Sequence, residues 1–123
     1  MKKLKNSIIN PRFIGALNTA VATQFPIRTS WTLKKFCDEF TQKQKLFQSQ
    51  IADLQTQHFG EGFTGSILEH ENFKAYEADF VELAEVEEEY KNAPIVVKLE
   101  DIEHRDISAE VLSALDEILE IQE

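Results

Sequence analysis

The feature that most constrains the fold is a run of side chains that recurs every three or four residues through the middle of the chain. This spacing is that of a coiled-coil seam, with a polar break near its centre. The run comprises Leu33, Cys37, Phe40, Gln44, Phe47, Ile51, Leu54 and His58. Thr29 and Ser30 are competent N-caps before it, and Gly60 follows it, where helices commonly turn left-handed. These signals predict one long helix over about residues 31–59, a rod of roughly 40 Å.

Three shorter helices are predicted around this rod. The first begins at Asn10 and Pro11, a cap and a first-turn proline, and runs to about residue 24, since Pro26 stops it. The second covers about residues 71–84, and the third follows the cap residue Ser108. Their apolar stripes are Phe13, Ile14, Leu17, Ala20, Val21 and Phe25 in the first helix, Phe73, Tyr76, Phe80 and Leu83 in the second, and Val111, Leu112, Leu115, Ile118 and Leu119 in the third.

Strand signals are confined to short segments. Residues 95–99 are rich in β-branched side chains, and residues 86–90 show an alternating pattern before a turn at 91–94. These segments predict a β-hairpin, with residues 4–9 as a third strand. An extension of the preceding helix is the alternative interpretation of residues 86–90.

Together these elements predict a single domain, residues 1–123, with a mainly α (α+β) fold. A long central helix is packed by two or three shorter helices, with a small β-hairpin or three-stranded sheet. The seam of the long helix has to be buried. The favoured interpretation is that the 11–24 helix and the C-terminal helix pack along it, because their stripes have the matching spacing. The alternative is that part of the seam faces a second copy or another partner.

Charge is distributed unevenly along the chain. The net charge is −9, of which residues 1–60 contribute +6 and residues 61–123 contribute −15. This asymmetry can serve within the fold, where the basic half of the chain lies across the acidic half. It can also serve outside the fold, by providing two oppositely charged faces for two partners. The acidic balance disfavours nucleic-acid binding, because phosphates are neutralised by Lys and Arg. Binding of nucleic acid by the basic half alone is also disfavoured, because its lysines alternate with Gln rather than with aromatic residues on the same face.

The candidate partner-binding residues are Trp31 and the densest acidic cluster. The cluster consists of Glu82, Glu85, Glu87, Glu88 and Glu89, beside Asp79. A solvated face is the ordinary interpretation of such a cluster, and mimicry of nucleic-acid phosphates is the sharper alternative. Trp31 follows a helix cap, so we expect it to anchor the helix start to the core, with an exposed binding hot spot as the alternative.

Patterns of catalytic or metal-binding residues are not found in the sequence. It has no phosphate-binding Gly-rich loop, no nucleophile elbow and no cysteine pair. His58, His70 and His104 are far apart and never at a metal-ligand spacing. Cys37 falls on the apolar seam and is interpreted as a small buried hydrophobe. We therefore expect a non-enzymatic protein with no catalytic residue, no cofactor and no metal.

Membrane and export signals are also weak. The basic opening Met1–Lys5 resembles the start of a signal peptide, but polar residues interrupt the apolar stretch that would have to follow. No apolar run approaches the roughly 18 residues that span a membrane. The single cysteine cannot form an internal disulfide. We expect an intracellular protein without membrane association.

Several structural signals occur in an order that resembles a known group of proteins. They are Ala16-Leu17, Phe25-Pro26-Ile27, Ser30-Trp31, Leu33, Phe59-Gly60, Ile95 to Leu99, Ile102, Ile107-Ser108, Leu112 and Leu115. In this order the chain resembles short, uncharacterised bacteriophage proteins with a proline-preceded long helix and an Ile-Ser-x-x-x-Leu ending. The loop at 61–70 and the acidic run near 85–89 lie outside the matched pattern. The resemblance implies a virus-encoded protein, in the host cytoplasm or in the virion, and brings with it no activity, catalytic residue or cofactor.

Two functions are consistent with these observations, and both need a protein partner. The first is a small virion or assembly component that docks with itself or with other virion proteins, because the long seam and the opposite charges of the two halves favour association. The alternative is a host-directed inhibitor of the anti-defence type. Its acidic, nucleic-acid-mimicking face would be formed by residues 79–89 and 100–110.

Overall fold

The computed structural model describes residues 1–123, and its largest element is the long central helix. The helices are α1 (Pro11–Ala22), α2 (Ile27–Phe59), α3 (Phe73–Glu85), α4 (Leu99–Glu103) and α5 (Ala109–Ala114). The strands are β1 (Lys2–Lys5), β2 (Glu87–Tyr90), β3 (Ile95–Lys98) and β4 (Leu119–Gln122). The predicted α+β fold, mainly helical with one long helix, is confirmed.

The boundaries of α1 follow from its local sequence. The side chain of Asn10 accepts a hydrogen bond from the backbone N–H of Phe13 at 2.9 Å, and Pro11 occupies the first helical position. The helix ends at Ala22 rather than near residue 24, because the backbone of Thr23 is extended, although its N–H still bonds the carbonyls of Thr19 and Ala20. Phe25 therefore lies outside the helix, although its side chain is buried as its apolar character requires.

The helix α2 is a continuous rod, as the heptad spacing predicts, but it begins four residues earlier than expected. The N–H of Ser30 donates to the carbonyl of Pro26 at 3.0 Å, so helical bonding starts before either predicted cap. Pro26 immediately precedes the helix, with φ of −51° and ψ of 150°. A proline is tolerated at a helix start because the backbone N–H that it lacks would have no helical partner there. The Ser30 hydroxyl bonds the Phe25 carbonyl at 3.1 Å instead of capping. Gly60 ends the helix with φ of 90°.

The two halves of α2 are buried by different neighbours. In the first half, Leu33, Phe36 and Phe40 belong to the main core, where α1, β2 and β3 meet the helix. In the second half, Phe47 and Phe59 are buried in a separate cluster beneath α3. We call residues 44–85, which comprise the second half of α2, the following loop and α3, the distal arm. Packing within the chain thus covers most of the seam, with α3 in the place expected for the C-terminal helix, while Leu54 remains half-buried.

The predicted β-hairpin is wrong, and so is the three-stranded sheet. Residues 87–90 do form a strand, but β2 pairs antiparallel with β1, while β3 pairs parallel with β4. Complementary charge favours the first pairing, because Lys3 lies opposite Glu89 and Lys5 opposite Glu87. The remaining part of the predicted strand 4–9 is a short 3₁₀ turn, Asn6–Ile8. Its buried Asn6 amide donates to the carbonyl of Leu83, which joins this turn to the end of α3.

The predicted C-terminal helix is shorter than its apolar stripe. Ser108 caps α5 as expected, accepting from the N–H of Val111, but the helix ends at Ala114 and packs against α1. Leu115 and Ile118 lie in the turn after it, and both are fully buried in the main core. Burial of both side chains against β3 requires the chain to leave the helix, and the N–H of Ile95 then bonds the carbonyl of Ile118 at 2.7 Å.

None of the helices combines the length and the apolar character that crossing a membrane requires.

Candidate functional site

The most exposed large apolar side chains of α2 lie together near its beginning. The side chain of Ile27 is 84% exposed and that of Trp31 is 56% exposed. The expectation that Trp31 anchors the helix start to the core is therefore wrong. At about 100° per residue, Trp31 lies roughly 160° around the helix from the buried Leu33, so it points to solvent. Ile27 was missed as a site residue because the helix was expected to begin after it.

Basic side chains surround this apolar pair. Arg28, Lys34 and Lys35 are all exposed and lie three or four residues from Trp31, a spacing that makes side chains neighbours on a helix surface, so these cations flank Trp31. The Nζ of Lys35 lies 5.6 Å from the centroid of the Trp31 ring, a cation–π contact. Asp38 bonds Lys34 at 3.6 Å and is the acidic neighbour on this face. We call Ile27, Arg28, Trp31, Lys34 and Lys35 the basic ridge.

A shallow acidic groove lies between α2 and α3, on the distal arm and the adjoining Val86. It is an open depression of about 400 Å³. Its apolar floor is formed by Leu54 and Leu83, which are half-buried, together with Val86, which is exposed. Its acidic rim is formed by Asp53, Asp79 and Glu82. We call these six residues the acidic groove.

One rim residue of the acidic groove has an internal partner. The Nε2 of His58 lies 2.7 Å from the Oδ2 of Asp79, and the Asn72 amide donates to the His58 carbonyl at 2.7 Å. These bonds tie the end of α2 to α3. Asp53 and Glu82, by contrast, have no cationic side chain within 4.0 Å. Both carboxylates are exposed, so they remain free to meet a cation from outside.

The predicted acidic cluster is divided between the groove and the strand β2. Glu82 lies on the groove, whereas Glu85 bonds Lys5 at 2.6 Å and Glu88 lies 3.8 Å from Lys43. Glu87 and Glu89 face outward, opposite Lys5 and Lys3 in the strand register. The hydrogen bond from Lys5 to Glu85, and then the charge of that carboxylate, raise the pKa of the Lys5 ammonium. Part of the charge asymmetry is therefore used within the fold.

A polar cleft of about 480 Å³ lies where β1, the start of α1 and the end of α5 meet. Its charged lining residues are Lys3, Lys5, Arg12, Glu87, Asp116 and Glu117. Cations and carboxylates are equal in number, and the charges of Glu87 and Glu117 act on the Lys5 ammonium. The cleft thus has no net preference for an anion or a cation.

Groups with chemical reactivity are few in this fold. Burial, and then the neighbouring Asp38 carboxylate, raise the pKa of the Cys37 thiol, so the thiol is protonated at neutral pH and is a poor nucleophile. The His58 and Asp79 pair has the geometry of a base and its orienting acid, but no hydroxyl or thiol is hydrogen-bonded to the His58 ring. No group of three His, Cys, Asp or Glu side chains converges on a metal position.

Comparison of the chain with protein-family models, curated proteins and solved structures gives no match.

Proposed function

We propose that this chain is a non-enzymatic protein-binding protein, a small virion or assembly component of a bacteriophage, and that it binds through the basic ridge. The observation that carries this proposal is the joint exposure of Ile27 and Trp31 among three cations. The resemblance to short bacteriophage proteins supports the viral setting. The expected locations are the virion and the host cytoplasm.

Energetic considerations favour the ridge as a binding surface. Burial of a large apolar side chain against a partner contributes about 1.5–3 kcal/mol, so Ile27 and Trp31 together offer a substantial part of a binding free energy. Trp and Arg are the residue types most enriched among binding hot spots. The cation–π contact restrains the Trp31 ring before binding, which reduces the entropy lost on association. Three cations near the ring favour a partner with an acidic surface.

Two other partners have less support. The host-directed inhibitor would use the acidic face, but Glu85 and Glu88 already bond lysines of the same chain, which lowers the charge available to a basic partner. Nucleic acid on the basic ridge would have one aromatic side chain for stacking, whereas single-strand binding surfaces use several.

The proposal is tested by affinity capture from phage-producing cells, followed by mass spectrometry and by immunoblotting of purified virions. The wild-type chain is compared with Trp31→Ala and with the control Val96→Ala, whose parent side chain is 46% exposed on β3. We expect wild type and Val96→Ala to co-purify with virion proteins or assembly intermediates, and Trp31→Ala to lose them. Retention of those partners by Trp31→Ala, or capture of host proteins alone, would contradict the proposal.

A further inference from the structure

We propose that the partner of the basic ridge is the acidic groove of a second copy of this chain, so that the protein associates head to tail. This inference rests on the proposed function and identifies the partner. The two surfaces lie on the same helix but differ in place, charge and shape. The ridge has protruding apolar side chains and cations, and the groove has an apolar depression and carboxylates.

The geometry of α2 prevents one molecule from joining its own two surfaces. Trp31 and Leu54 are 23 residues apart on a continuous helix, which separates them by about 35 Å along the axis. The same separation rotates Leu54 about 140° around the helix from Trp31. The ridge and the groove therefore face different directions at opposite ends of a rigid rod. Only a second molecule can bring a ridge to this groove.

Chemical complementarity is the argument for a second copy as the occupant. The ridge has two protruding apolar side chains, Ile27 and Trp31, and three exposed cations beside them, of which only Lys34 has a carboxylate partner, Asp38. The groove has an apolar floor and a rim of three carboxylates, of which Asp53 and Glu82 have no cationic partner in the fold. Docking would bury the Trp31 ring over the floor, between Leu54 and Leu83. It would also bring Lys34 or Lys35 within reach of the rim.

The consequence of such an interface is open-ended assembly. Two different surfaces meet at a heterologous contact, so a pair keeps one free groove on the molecule whose ridge is bound and one free ridge on the other molecule. Further copies can then add at both ends, and the product is a ring if the rotation closes and a filament if it does not. The contact is small and rich in exposed charge, so we expect association to be weak and to decrease as salt rises.

The decisive experiment uses purified protein in sedimentation velocity and in size-exclusion chromatography with light scattering. The ridge variant is Trp31→Ala, and the groove variant combines Asp53→Lys with Glu82→Lys; all three parent side chains are exposed, so the fold should be retained. Circular dichroism and urea unfolding check this, and Val96→Ala is the matched control. We expect wild type and Val96→Ala to associate as concentration rises, and each interface variant alone to be monomeric.

Mixing the two variants separates the proposed interface from other modes of association. The groove variant keeps an intact ridge and the ridge variant keeps an intact groove, so an equimolar mixture should form a 1:1 dimer and nothing larger. A monomeric mixture, or a wild-type chain that stays monomeric at all concentrations, would overturn the inference. The proposed function would survive either result if Trp31→Ala still lost its virion partner in the capture experiment.

Discussion

The carboxylate of Glu39 accepts two hydrogen bonds from Asn92, one from its backbone N–H at 3.0 Å and one from its side-chain amide at 3.1 Å. The backbone N–H of Lys91 donates a third at 2.8 Å. These bonds attach the middle of α2 to the turn between β2 and β3, and so position both strands. Partial burial tends to raise the pKa of the Glu39 carboxyl, but the hydrogen bonds outweigh it and hold the pKa below its usual value.

Acid sensitivity follows from this lowered pKa. The folded state favours the charged carboxylate, so the contribution to stability is present above the ordinary pKa of 4.5 and is lost as the pH falls through the folded value. We expect Glu39→Gln to lower the free energy of unfolding by about 1–2 kcal/mol at pH 7, with the difference from wild type shrinking below about pH 4.5. Urea titrations at several pH values measure this, with the exposed loop residue Glu61→Gln as control. A constant difference at every pH would show that the charge is not involved.

Alkaline sensitivity is predicted at Tyr90. Burial, and then the nearby carboxylates of Glu39 and Glu88, raise the pKa of the Tyr90 phenol to about 12. The folded state therefore holds this proton more tightly than the unfolded chain, whose phenol has a pKa of 10.0, and stability is lost as the pH rises between these values. We expect Tyr90→Phe to retain more of its neutral-pH stability than wild type between pH 10 and 12, by thermal melts followed by circular dichroism. Equal losses in both proteins would contradict the prediction.

Opposite charges across β1 and β2 should make this pairing sensitive to salt. Combining Lys3→Glu with Lys5→Glu places like charges opposite Glu89 and Glu87 and removes the bond to Glu85. We expect a lower melting temperature, with the loss greatest at low ionic strength because salt screens exposed charges. The matched control combines Lys45→Glu with Lys98→Glu, exposed positions without an ion pair. An equal loss in the control would mean that net charge alone is responsible.

The distal arm should open more readily than the rest of the molecule. Its buried cluster is small and separate from the main core, and the arm is a pair of helices with one open side. Hydrogen exchange is therefore expected to be faster for amides at 48–59 than for those at 33–43 of the same helix. Phe47→Ala removes a buried ring whose centroid lies 6.3 Å from that of Phe80. This substitution should accelerate exchange in the arm, because it lowers the free energy of opening the arm by about 3–5 kcal/mol. Uniform protection along α2 would contradict this division.

Trp31 should contribute little to stability, because more than half of its side chain is exposed. We expect Trp31→Ala to change the free energy of unfolding by less than about 1 kcal/mol. Phe36→Ala removes a fully buried ring that stacks on Tyr90 at 5.5 Å, and it should cost about 3–5 kcal/mol. Urea unfolding followed by circular dichroism compares the two. Since Trp31 is the only tryptophan, acrylamide should quench the native fluorescence nearly as well as the unfolded. A large cost at Trp31 would place the ring in the core.

The features that could be read from the sequence are those set by neighbours a few residues away. The rod α2 and its end at Gly60 depend on heptad spacing and on a glycine turn, and the caps Asn10 and Ser108 bond backbone groups three residues ahead. Each of these signals acts within one or two helical turns. They were therefore visible without knowledge of the rest of the chain.

Pairing of strands and the orientation of side chains at helix starts were decided by contacts between distant segments. The hairpin is locally plausible, but Lys3 and Lys5 at the N-terminus supply β2 with charge partners, and the buried Leu115 and Ile118 bring β4 beside β3. The acidic groove likewise depends on how α3 lies against α2. Thus the sequence by itself determined the helical rod and its caps, because those bonds are local. Only the tertiary structure decided the sheet partners, the exposure of Trp31 and the groove, because each depends on which segments, distant in sequence, pack against one another.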